Sequence, residues 1–404
     1  MKFLLTGTFC SQNKGDAAMQ LTMGRLLREI YPDSEVVISA PYPELDRHFY
    51  EGITLVKCHR RNLIYGFIQC AGAWLWKKSG SSVFLLDDEM KACAEADLVI
   101  DLSGDMLTED YGPHVAISHF LPILLANAAG RKVFVCGQSI GPFKFTRSVA
   151  RYVLEHAGAV TVRDQLTLDH LRALGVSPRR LAVTADLAFS LKPSKGPEVN
   201  ALLEKYGLAK HGGPLLGVSV SHLVDGRFNK LCPNAANTTF WELMARAIDG
   251  WVAERNLGVV FVAHVTGPGD DRDDRVAARK VANLMKFPAV VVEEDLGPES
   301  IKGIIRICDL FVGARMHANI AALSSRIPTL AISYSHKTMG IMNQLGCGEF
   351  VAPVAELNDS LLNALFYRLF DERENVRQRL GDRLPGIETM SRANMEKVAE
   401  LLTV

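Results

Sequence analysis

The segment with the clearest chemical content places a guanidinium and an imidazole two residues apart. Arg315 and His317 follow a short apolar run that ends at Gly313, and a helical pattern begins directly after them. The backbone N–H groups at the start of a helix favour an anion, and a guanidinium fork matches a carboxylate or a phosphate. Imidazole is the side chain best matched to proton transfer near neutral pH. We therefore predict an anion clamp at Arg315 and a proton donor at His317, although a histidine in such a turn can also be structural.

Two further cations follow apolar runs. Ser333 ends the next run after the Arg315 turn, and Lys337 stands shortly behind it, so Lys337 is a candidate second charge on a phosphate. Arg163 ends another buried run and begins a helix, where a guanidinium is costly unless it is neutralised. Its partner can be Asp164, Asp186 or a ligand anion, and the sequence leaves these alternatives open.

Polar residues also occupy turns in the first half of the chain. Asn13 and Asp16 flank Gly15, and they can cap a helix or hold a sugar hydroxyl, while Gly15 permits a close backbone approach. Gln138 and Asp105 each follow an apolar run and can bind a polar ligand. Alternatively, Gln138 is only a turn residue and Asp105 is only a solvated carboxylate. These positions are candidates for an acceptor site or for the wall of a cleft.

His264 follows one more apolar run and leads into an acidic stretch at residues 270–274. Arg272 and Arg275 are interleaved with these carboxylates, which favours neutralisation within the stretch and helix capping. No cysteine pair has the CxxC spacing of a zinc site. We predict no tightly bound metal, and we place His264 among the cleft residues.

The elements that must position these residues alternate between strand-like apolar runs and helical patterns, which is typical of parallel sheets with helices on both faces. A stretch rich in proline and glycine at 193–213 interrupts this rhythm. We predict an α/β protein with two doubly wound, Rossmann-like domains: residues 1–192, a linker at 193–213, and residues 214–404. The last helix is a candidate to cross back to the first domain.

Composition excludes several classes. In 404 residues, 45 basic side chains balance 45 acidic ones, so nothing indicates a nucleic-acid partner. The eight cysteines are scattered among apolar neighbours, as expected for free thiols in a reducing compartment. The N-terminal run is interpreted as a strand rather than a signal peptide, and no apolar run reaches the ~18 residues of a spanning helix. We expect a cytoplasmic protein, for which the inner face of the cytoplasmic membrane is a candidate location.

Residues 59–86 depart from the alternating rhythm. Basic residues stand at both ends of a segment whose middle contains Tyr65, Trp74 and Trp76. Such a segment can lie on a bilayer surface as a peripheral contact. It can equally be a core helix or hairpin capped by solvated charges.

Together these motifs resemble the polysaccharide pyruvyl transferase family, from about residue 5 to residue 347. The pieces that carry the resemblance are Asn13 with Gly15-Asp16, Gly137–Pro142, Val162-Arg163-Asp164, Asp186, His264 with its acidic run, Gly313 with Arg315 and His317-Ala318, and Ser333-Tyr334 through Lys337.

The resemblance implies a GT-B-like fold in which two domains face a cleft. It implies transfer of a pyruvyl group from phosphoenolpyruvate, a co-substrate used without a cofactor, to a sugar of a cell-surface glycan or its lipid-linked precursor. Arg163, Arg315 and Lys337 would hold the carboxylate and phosphate of the donor, with Gly313 and Ser333 also at the donor site, and His317 would be the proton donor. The C-terminal domain would be the donor side. The acceptor would bind on the N-terminal side.

Two other functions remain open from the sequence. One is a GT-B glycosyltransferase that uses a nucleotide sugar, and the other is a non-catalytic glycan-binding protein. The chain also departs from the family where a glycine-rich patch would be, because it has Ser103-Gly104-Asp105 there. The acceptor sugar therefore cannot be identified from the sequence.

Overall fold

The computed structural model describes residues 1–50, 52–59, 62–208, 212–232 and 238–403. The chain divides into two compact units. The first consists of Met1–Ser11, Asp16–Ser190 and Ile387–Val404, and the second of Gln12–Gly15 and Leu191–Gly386. Gln12–Gly15 thus groups with the second unit, whereas the sequence ranges placed it in the first.

The first unit has a seven-stranded parallel sheet within its described residues, in the order β3-β2-β1-β4-β5-β6-β7. Its strands are β1 (Lys2–Thr6), β2 (Glu35–Ala40), β3 (Thr54–Lys57), β4 (Leu98–Asp101), β5 (Val133–Gln138), β6 (Ala159–Val162) and β7 (Leu181–Val183).

The second unit has a six-stranded parallel sheet in the part that the structure describes, ordered β10-β9-β8-β11-β12-β13. Its strands are β8 (Leu215–Ser219), β9 (Gly258–Phe261), β10 (Val290–Val291), β11 (Leu310–Gly313), β12 (Thr329–Ser333) and β13 (Val351–Pro353).

The described helices connect these strands. In chain order they are α1 (Lys14–Ile30), α2 (Pro43–Asp46), α3 (Leu63–Ser79), α4 (Asp88–Glu95), α5 (Pro113–Ala128), α6 (Arg147–Glu155), α7 (Gln165–Leu174), α8 (Pro197–Lys205), α9 (His222–Leu231), α10 (Phe240–Arg255), α11 (Asp274–Leu284), α12 (Pro298–Ile305), α13 (Met316–Leu323), α14 (His336–Gln344), α15 (Asp359–Asp371), α16 (Arg373–Arg392) and α17 (Asn394–Thr403).

Alternate residues of each central strand enter two different cores. In β1, Leu4 packs into one hydrophobic cluster, while Phe3 and Leu5 pack into another on the opposite face of the sheet. Since successive strand side chains point to opposite faces, both faces of the sheet are covered. The predicted α/β class with doubly wound, Rossmann-like units is confirmed.

Local signals set the ends of many helices. Asp164 accepts the backbone N–H of Thr167 at the start of α7, and Gly175 ends that helix in the left-handed region at φ 90°. Thr239 and Glu242 form a reciprocal capping box on α10. Such caps pair backbone groups that a helix leaves unsatisfied at its ends.

The segment at 59–86 folds mainly as α3, with a short 3₁₀ turn at Ser82–Phe84. Arg60 and Arg61, the basic residues expected at its start, lie outside the described residues. None of the helices in the described ranges has the length and apolarity needed to cross a bilayer. All eight cysteines are free thiols.

A buried ion pair joins the ends of β6 and β7. Arg163 follows β6, Asp186 lies beyond β7, and their side chains are bonded with no exposure to solvent. Nε of Arg163 also donates to Ser139 Oγ over 2.8 Å. The question left open by the sequence is thus answered for this structure, because Asp186 neutralises the guanidinium. A donor would reach Arg163 only if this pair opened, so its assignment to donor binding stays a prediction.

We expect Asp186→Ala to lower the free energy of unfolding of the first unit by about 3–5 kcal/mol, because it removes the carboxylate that neutralises a buried charge. Urea-induced unfolding followed by circular dichroism measures the change. The matched control is Asp169→Ala, which removes the acid of an exposed Asp169–Arg172 pair and should cost less than about 1 kcal/mol. Equal effects of the two substitutions would contradict a structural role for the buried pair.

Candidate active site

The strand order of the second unit brings most of its candidate site residues to one edge of the sheet. The carboxyl ends of β9, β8, β11 and β12 are consecutive along this edge, because these strands are neighbours in that order. They lead to His264, His222, the Arg315–His317 pair and Lys337, respectively. In open α/β sheets, ligands bind at this edge.

Arg315 lies at the N-cap position of α13, directly after β11. Its Nε and Nη2 donate to the two carboxylate oxygens of Asp274, over 3.0 and 2.8 Å. Asp274 is almost completely buried, and it also accepts the backbone N–H of Val265 over 3.0 Å. The guanidinium is partly exposed, so a buried carboxylate fixes its orientation at the start of a helix.

Asp274 is a further candidate site residue, which the sequence alone did not indicate. It was grouped with an acidic run expected to neutralise itself, and only part of the run behaves in that way: Asp273 caps α11 and pairs with Arg275. Burial raises the pKa of the Asp274 carboxyl above its ordinary value, while Arg315 and backbone N–H groups oppose the rise. The sequence does not distinguish the two carboxylates. In the structure, Asp273 pairs with Arg275 of its own helix, whereas Asp274 pairs with Arg315 at the start of α13.

His317 lies in the first turn of α13 and is partly exposed. Its ring packs against the backbone of Gly15: a Cβ placed on Gly15 would lie 2.1 Å from Nδ1 of His317. No real Cβ contact is that short, so any side chain at position 15 would displace the imidazole or the loop. The sequence predicts that another group lies close to the backbone of Gly15. In the structure this group is the imidazole of His317.

The loop that carries Gly15 pairs with the segment after β9. Lys14 N–H donates to the carbonyl of His264 over 3.0 Å, and Thr266 N–H donates to the carbonyl of Gln12 over 2.9 Å. These two hydrogen bonds form an antiparallel bridge between Asn13 and Val265. The side chain of Asn13 accepts the N–H of Gly15 over 3.2 Å, which turns the chain into α1. Asn13 therefore shapes the loop that seats Gly15.

Lys14 anchors the same loop through its side chain. Its ammonium group is completely buried and lies 2.6 Å from Oδ1 of Asp295, which also accepts the hydroxyl of Thr266 over 2.7 Å. Buried lysines normally occur only where such a partner is present. Neither Lys14 nor Asp295 was predicted as a site residue, because their contact joins residues far apart in sequence.

His264 is buried beside these groups. Burial lowers the pKa of His264 well below its usual range, and the neighbouring His317, Arg315 and Lys14 lower it further. Its imidazole is therefore neutral near pH 7. Its Nδ1 has no hydrogen-bond partner among the described residues. The sequence assigned His264 to the cleft, and the structure places it within the electrostatic reach of the Arg315–His317 pair.

His222 is a histidine that the sequence analysis missed. It begins α9 just beyond the end of β8, and Arg315 and Asp274 both affect its pKa, which burial and Lys280 lower. Its Nε2 has no hydrogen-bond partner in the described part of the chain. His222 lies in the same kind of strand–turn–helix junction as Arg315, so its position after β8 is a sequence signal that indicates a site residue.

The other donor-side candidates lie on β11, β12 and α14. A Cβ on Gly313 would lie 1.8 Å from Oδ1 of Asn319, so the packing of α13 on the end of β11 already favours glycine there. The hydroxyl of Ser333 donates to the carbonyl of Ser335 over 2.6 Å. Lys337 is buried in the first turn of α14. The expected adjacency of the two turns is confirmed, because β11 pairs with β12.

The acceptor-side candidates Asp16, Gln138 and Asp105 lie in the first unit. Asp16 accepts the N–H of Phe9 over 2.7 Å, and Asp105 accepts the hydroxyl of Tyr111 over 3.2 Å. Gln138 is completely buried as the last residue of β5, not in the loop behind it as the sequence suggested. Its amide nitrogen donates to the carboxylate of Asp101 over 2.6 Å.

Ser103 and His119 extend the network around Gln138. The hydroxyl of Ser103 lies 3.2 Å from Oδ2 of Asp101 and 3.1 Å from Nδ1 of His119, and all of these groups are buried. The acceptor roles assigned to this unit stay predictions. In the described part of the chain, no group of three or more His, Cys, Asp or Glu side chains is arranged to hold a metal ion.

Comparison with known proteins gives a family and a fold. Residues 13–336 match the family described as polysaccharide pyruvyl transferase. The amylovoran biosynthesis protein AmsJ of Erwinia amylovora is 24% identical over 405 residues, with 94% of each chain covered.

Solved structures share the architecture at low identity. A glycosyltransferase from Rickettsia africae ESF-5 matches with a TM-score of 0.59 at 14% identity, over 99% of this chain and 98% of that one. UDP-GlcNAc 2-epimerase from Neisseria meningitidis, bound to UDP-GlcNAc, matches with a TM-score of 0.61 at 11% identity, over 99% and 100%. These likenesses concern the fold, which belongs to the GT-B-like class.

The family match extends over most of the chain, from the Asn13 turn through the Arg315–His317 pair to the turn after Ser333. This protein belongs to the polysaccharide pyruvyl transferase family.

Proposed function

We propose that the protein transfers a pyruvyl group from phosphoenolpyruvate to a sugar of a surface polysaccharide or of its lipid-linked precursor, forming a ketal and releasing phosphate. The observation that carries the proposal is the start of α13. There Arg315 is held by buried Asp274, and His317 is seated on Gly15. The family match and the relative named for amylovoran biosynthesis support a polysaccharide acceptor.

Charge supports an anionic donor at this edge. Arg315 stands at the N-terminus of α13, His317 lies in the first turn of the same helix, and the backbone N–H of Lys14 donates to the carbonyl of His264. Asp274 pairs with Arg315 and Asp295 pairs with Lys14, so the attraction for a small donor with a carboxylate and a phosphate comes from the backbone N–H groups at the start of α13 and from the partly exposed guanidinium of Arg315. In the proposal, Arg315 and Lys337 bind its anionic groups, and the orientation of Arg315 is set before the donor arrives.

The proposed chemistry begins with proton transfer from His317 to the methylene carbon of phosphoenolpyruvate, which becomes a methyl group. Positive charge develops on the adjacent carbon, and a hydroxyl of the acceptor attacks it. Phosphate leaves as its C–O bond breaks, and a second hydroxyl of the same sugar closes the ketal. One hydroxyl proton returns to His317, and the other ends on phosphate. No electrons are exchanged with a cofactor, so phosphoenolpyruvate serves as co-substrate alone.

The location follows from the substrates. A lipid-linked acceptor would be met at the inner face of the cytoplasmic membrane, so we propose that the protein works in the cytoplasm at that surface.

The decisive assay incubates the protein with phosphoenolpyruvate and a panel of glycosides, and it measures both phosphate release and the mass of an added pyruvyl ketal. Release of a nucleoside diphosphate from a nucleotide sugar would instead indicate a glycosyltransferase. Glycan binding without any product would indicate a non-catalytic protein.

His317→Ala should lower the turnover of this reaction by about 10²–10⁴-fold, because it removes the proton donor, while the affinity for phosphoenolpyruvate changes little. Steady-state phosphate release and calorimetric donor binding measure the two effects. His156→Ala, which removes an exposed histidine of the first unit, is the control and should retain full turnover. Near-normal turnover of His317→Ala would refute the role given to His317.

Gly15→Ala should lower turnover at least about tenfold, because its methyl group would displace the imidazole of His317 or the loop beneath it. Gly250→Ala is the matched control: it also replaces a helical glycine, but its Cβ meets nothing within 4 Å. If both variants turned over at the wild-type rate, the packing of His317 on Gly15 would not matter for catalysis.

Asp274→Asn should raise KM for phosphoenolpyruvate about tenfold, since it removes the negative charge that orients Arg315. The initial rate measured against donor concentration gives this value. Asp270→Asn alters an exposed acid of the same run and should leave KM unchanged. An unchanged KM in Asp274→Asn would mean that donor binding does not depend on the orientation of Arg315.

A further inference from the structure

Helix α3 exposes five large apolar residues and buries mainly small ones. Ile64 is 77% exposed, Phe67 53%, Ile68 49% and Trp74 51%. The buried residues of the same helix are Gly66, Gln69, Gly72 and Ala73. This is the reverse of an amphipathic helix in a soluble protein, whose large apolar residues face the core.

The exposed residues form one continuous stripe. At 3.6 residues per turn, positions 64, 67, 68, 71, 74, 75 and 78 share one face of the helix. Apart from Ala71 and Lys78, they are all large and apolar, and Leu75 is also exposed. We call this set of positions the α3 stripe.

The inward face of α3 cannot exchange places with the stripe. A Cβ on Gly66 would lie 2.5 Å from Cδ1 of Leu121 in α5, and a Cβ on Gly72 would lie 2.8 Å from the carbonyl oxygen of Phe84. The helix therefore packs closely on α5 at Gly66 and on the 3₁₀ turn that follows it at Gly72, where the backbone contact leaves no room for a side chain. Rotation to bury the large residues would bring bulky groups into these contacts, so the exposure of the stripe is built into the packing.

The charges that α3 itself carries are positive, although Asp87 of the next segment accepts hydrogen bonds from Tyr65 and Gln69 of this helix. None of the 17 residues of α3 is acidic, and Lys77 and Lys78 are exposed in its last turn. Helix α6, which also packs on α5 in the first unit, exposes Tyr152 and Arg151. The loop before α6 exposes Phe145 together with Lys144. Apolar and basic side chains thus recur together on two helices that contact α5.

We propose that the α3 stripe, with the basic residues beside it, docks on a bilayer containing anionic phospholipid. An interfacial helix buries its apolar face among the lipid chains, its lysines contact the anionic headgroups, and a tryptophan suits the boundary. A second copy of the chain is a poorer occupant, because a symmetric contact would bring two sets of these cations into one interface. The proposal adds a specific surface to the membrane location proposed above.

The test is co-sedimentation of the full chain with vesicles, without donor or acceptor, so its failure would not bear on the proposed chemistry. We expect binding to vesicles of phosphatidylglycerol and phosphatidylcholine in equal amounts, and weaker binding at high salt or to phosphatidylcholine alone. The double variant Phe67→Gln with Ile68→Gln should lower the partition coefficient at least about tenfold. Pyruvyl transfer to a water-soluble acceptor should be unchanged in that variant.

The matched control is Leu231→Gln with Leu284→Gln, which alters two comparably exposed leucines of the second unit. It should bind vesicles as the wild-type protein does. Absence of wild-type binding, or equal loss in both double variants, would overturn the proposal. A wild-type dimer in sedimentation velocity that the Phe67/Ile68 variant alone converts to monomer would also overturn it, because the stripe would then be an interface between copies.

Discussion

The candidate site depends on the bidentate pair between Arg315 and Asp274. A guanidinium at the start of a helix can adopt many rotamers, and each of them points its charge in a different direction. The buried carboxylate, which also accepts a backbone N–H, selects one orientation and holds it. The cost of burying Asp274 is offset by the ion pair and by this backbone hydrogen bond. A cation oriented in advance loses little freedom when an anion arrives, so more of the interaction is available for binding.

A second constraint is steric, and it connects the N-terminal loop with the proton-transfer residue. Two backbone hydrogen bonds and the Lys14–Asp295 pair hold residues 12–15 against the segment after β9. Gly15 can then lie directly under the ring of His317 because it has no Cβ. The glycine in this motif is thus explained by contact with an imidazole, rather than by a positive φ angle. Burial keeps the neighbouring His264 neutral, so it can form hydrogen bonds without adding a charge.

The central strands of both sheets were predictable because each is a short run of apolar residues bounded by turns. In the sequence, the apolar run at Ala159–Val162 and the helical patterns at Gln165–Leu174 and Met316–Leu323 have the same bounds as the observed elements. Strands β3, β7 and β13 were not predicted, and each is an edge strand of its sheet. β3 and β7 are only partly buried, so few of their positions require an apolar residue. The apolar run that identifies a central strand is therefore weak in both.

By itself, the sequence determined the α/β class, the family resemblance, and the Arg315–His317 pair at a strand–turn–helix junction. These are local signals, carried by residues that are close together in the chain. Only the tertiary structure decided that Asp274 orients Arg315, that Asp186 neutralises Arg163, and that Gly15 seats His317. Each of these contacts joins residues far apart in sequence, and each depends on the order of the strands in a sheet and on how a loop closes over its edge. Local residue patterns do not encode that order, because the same alternation of strands and helices is compatible with several sheet topologies.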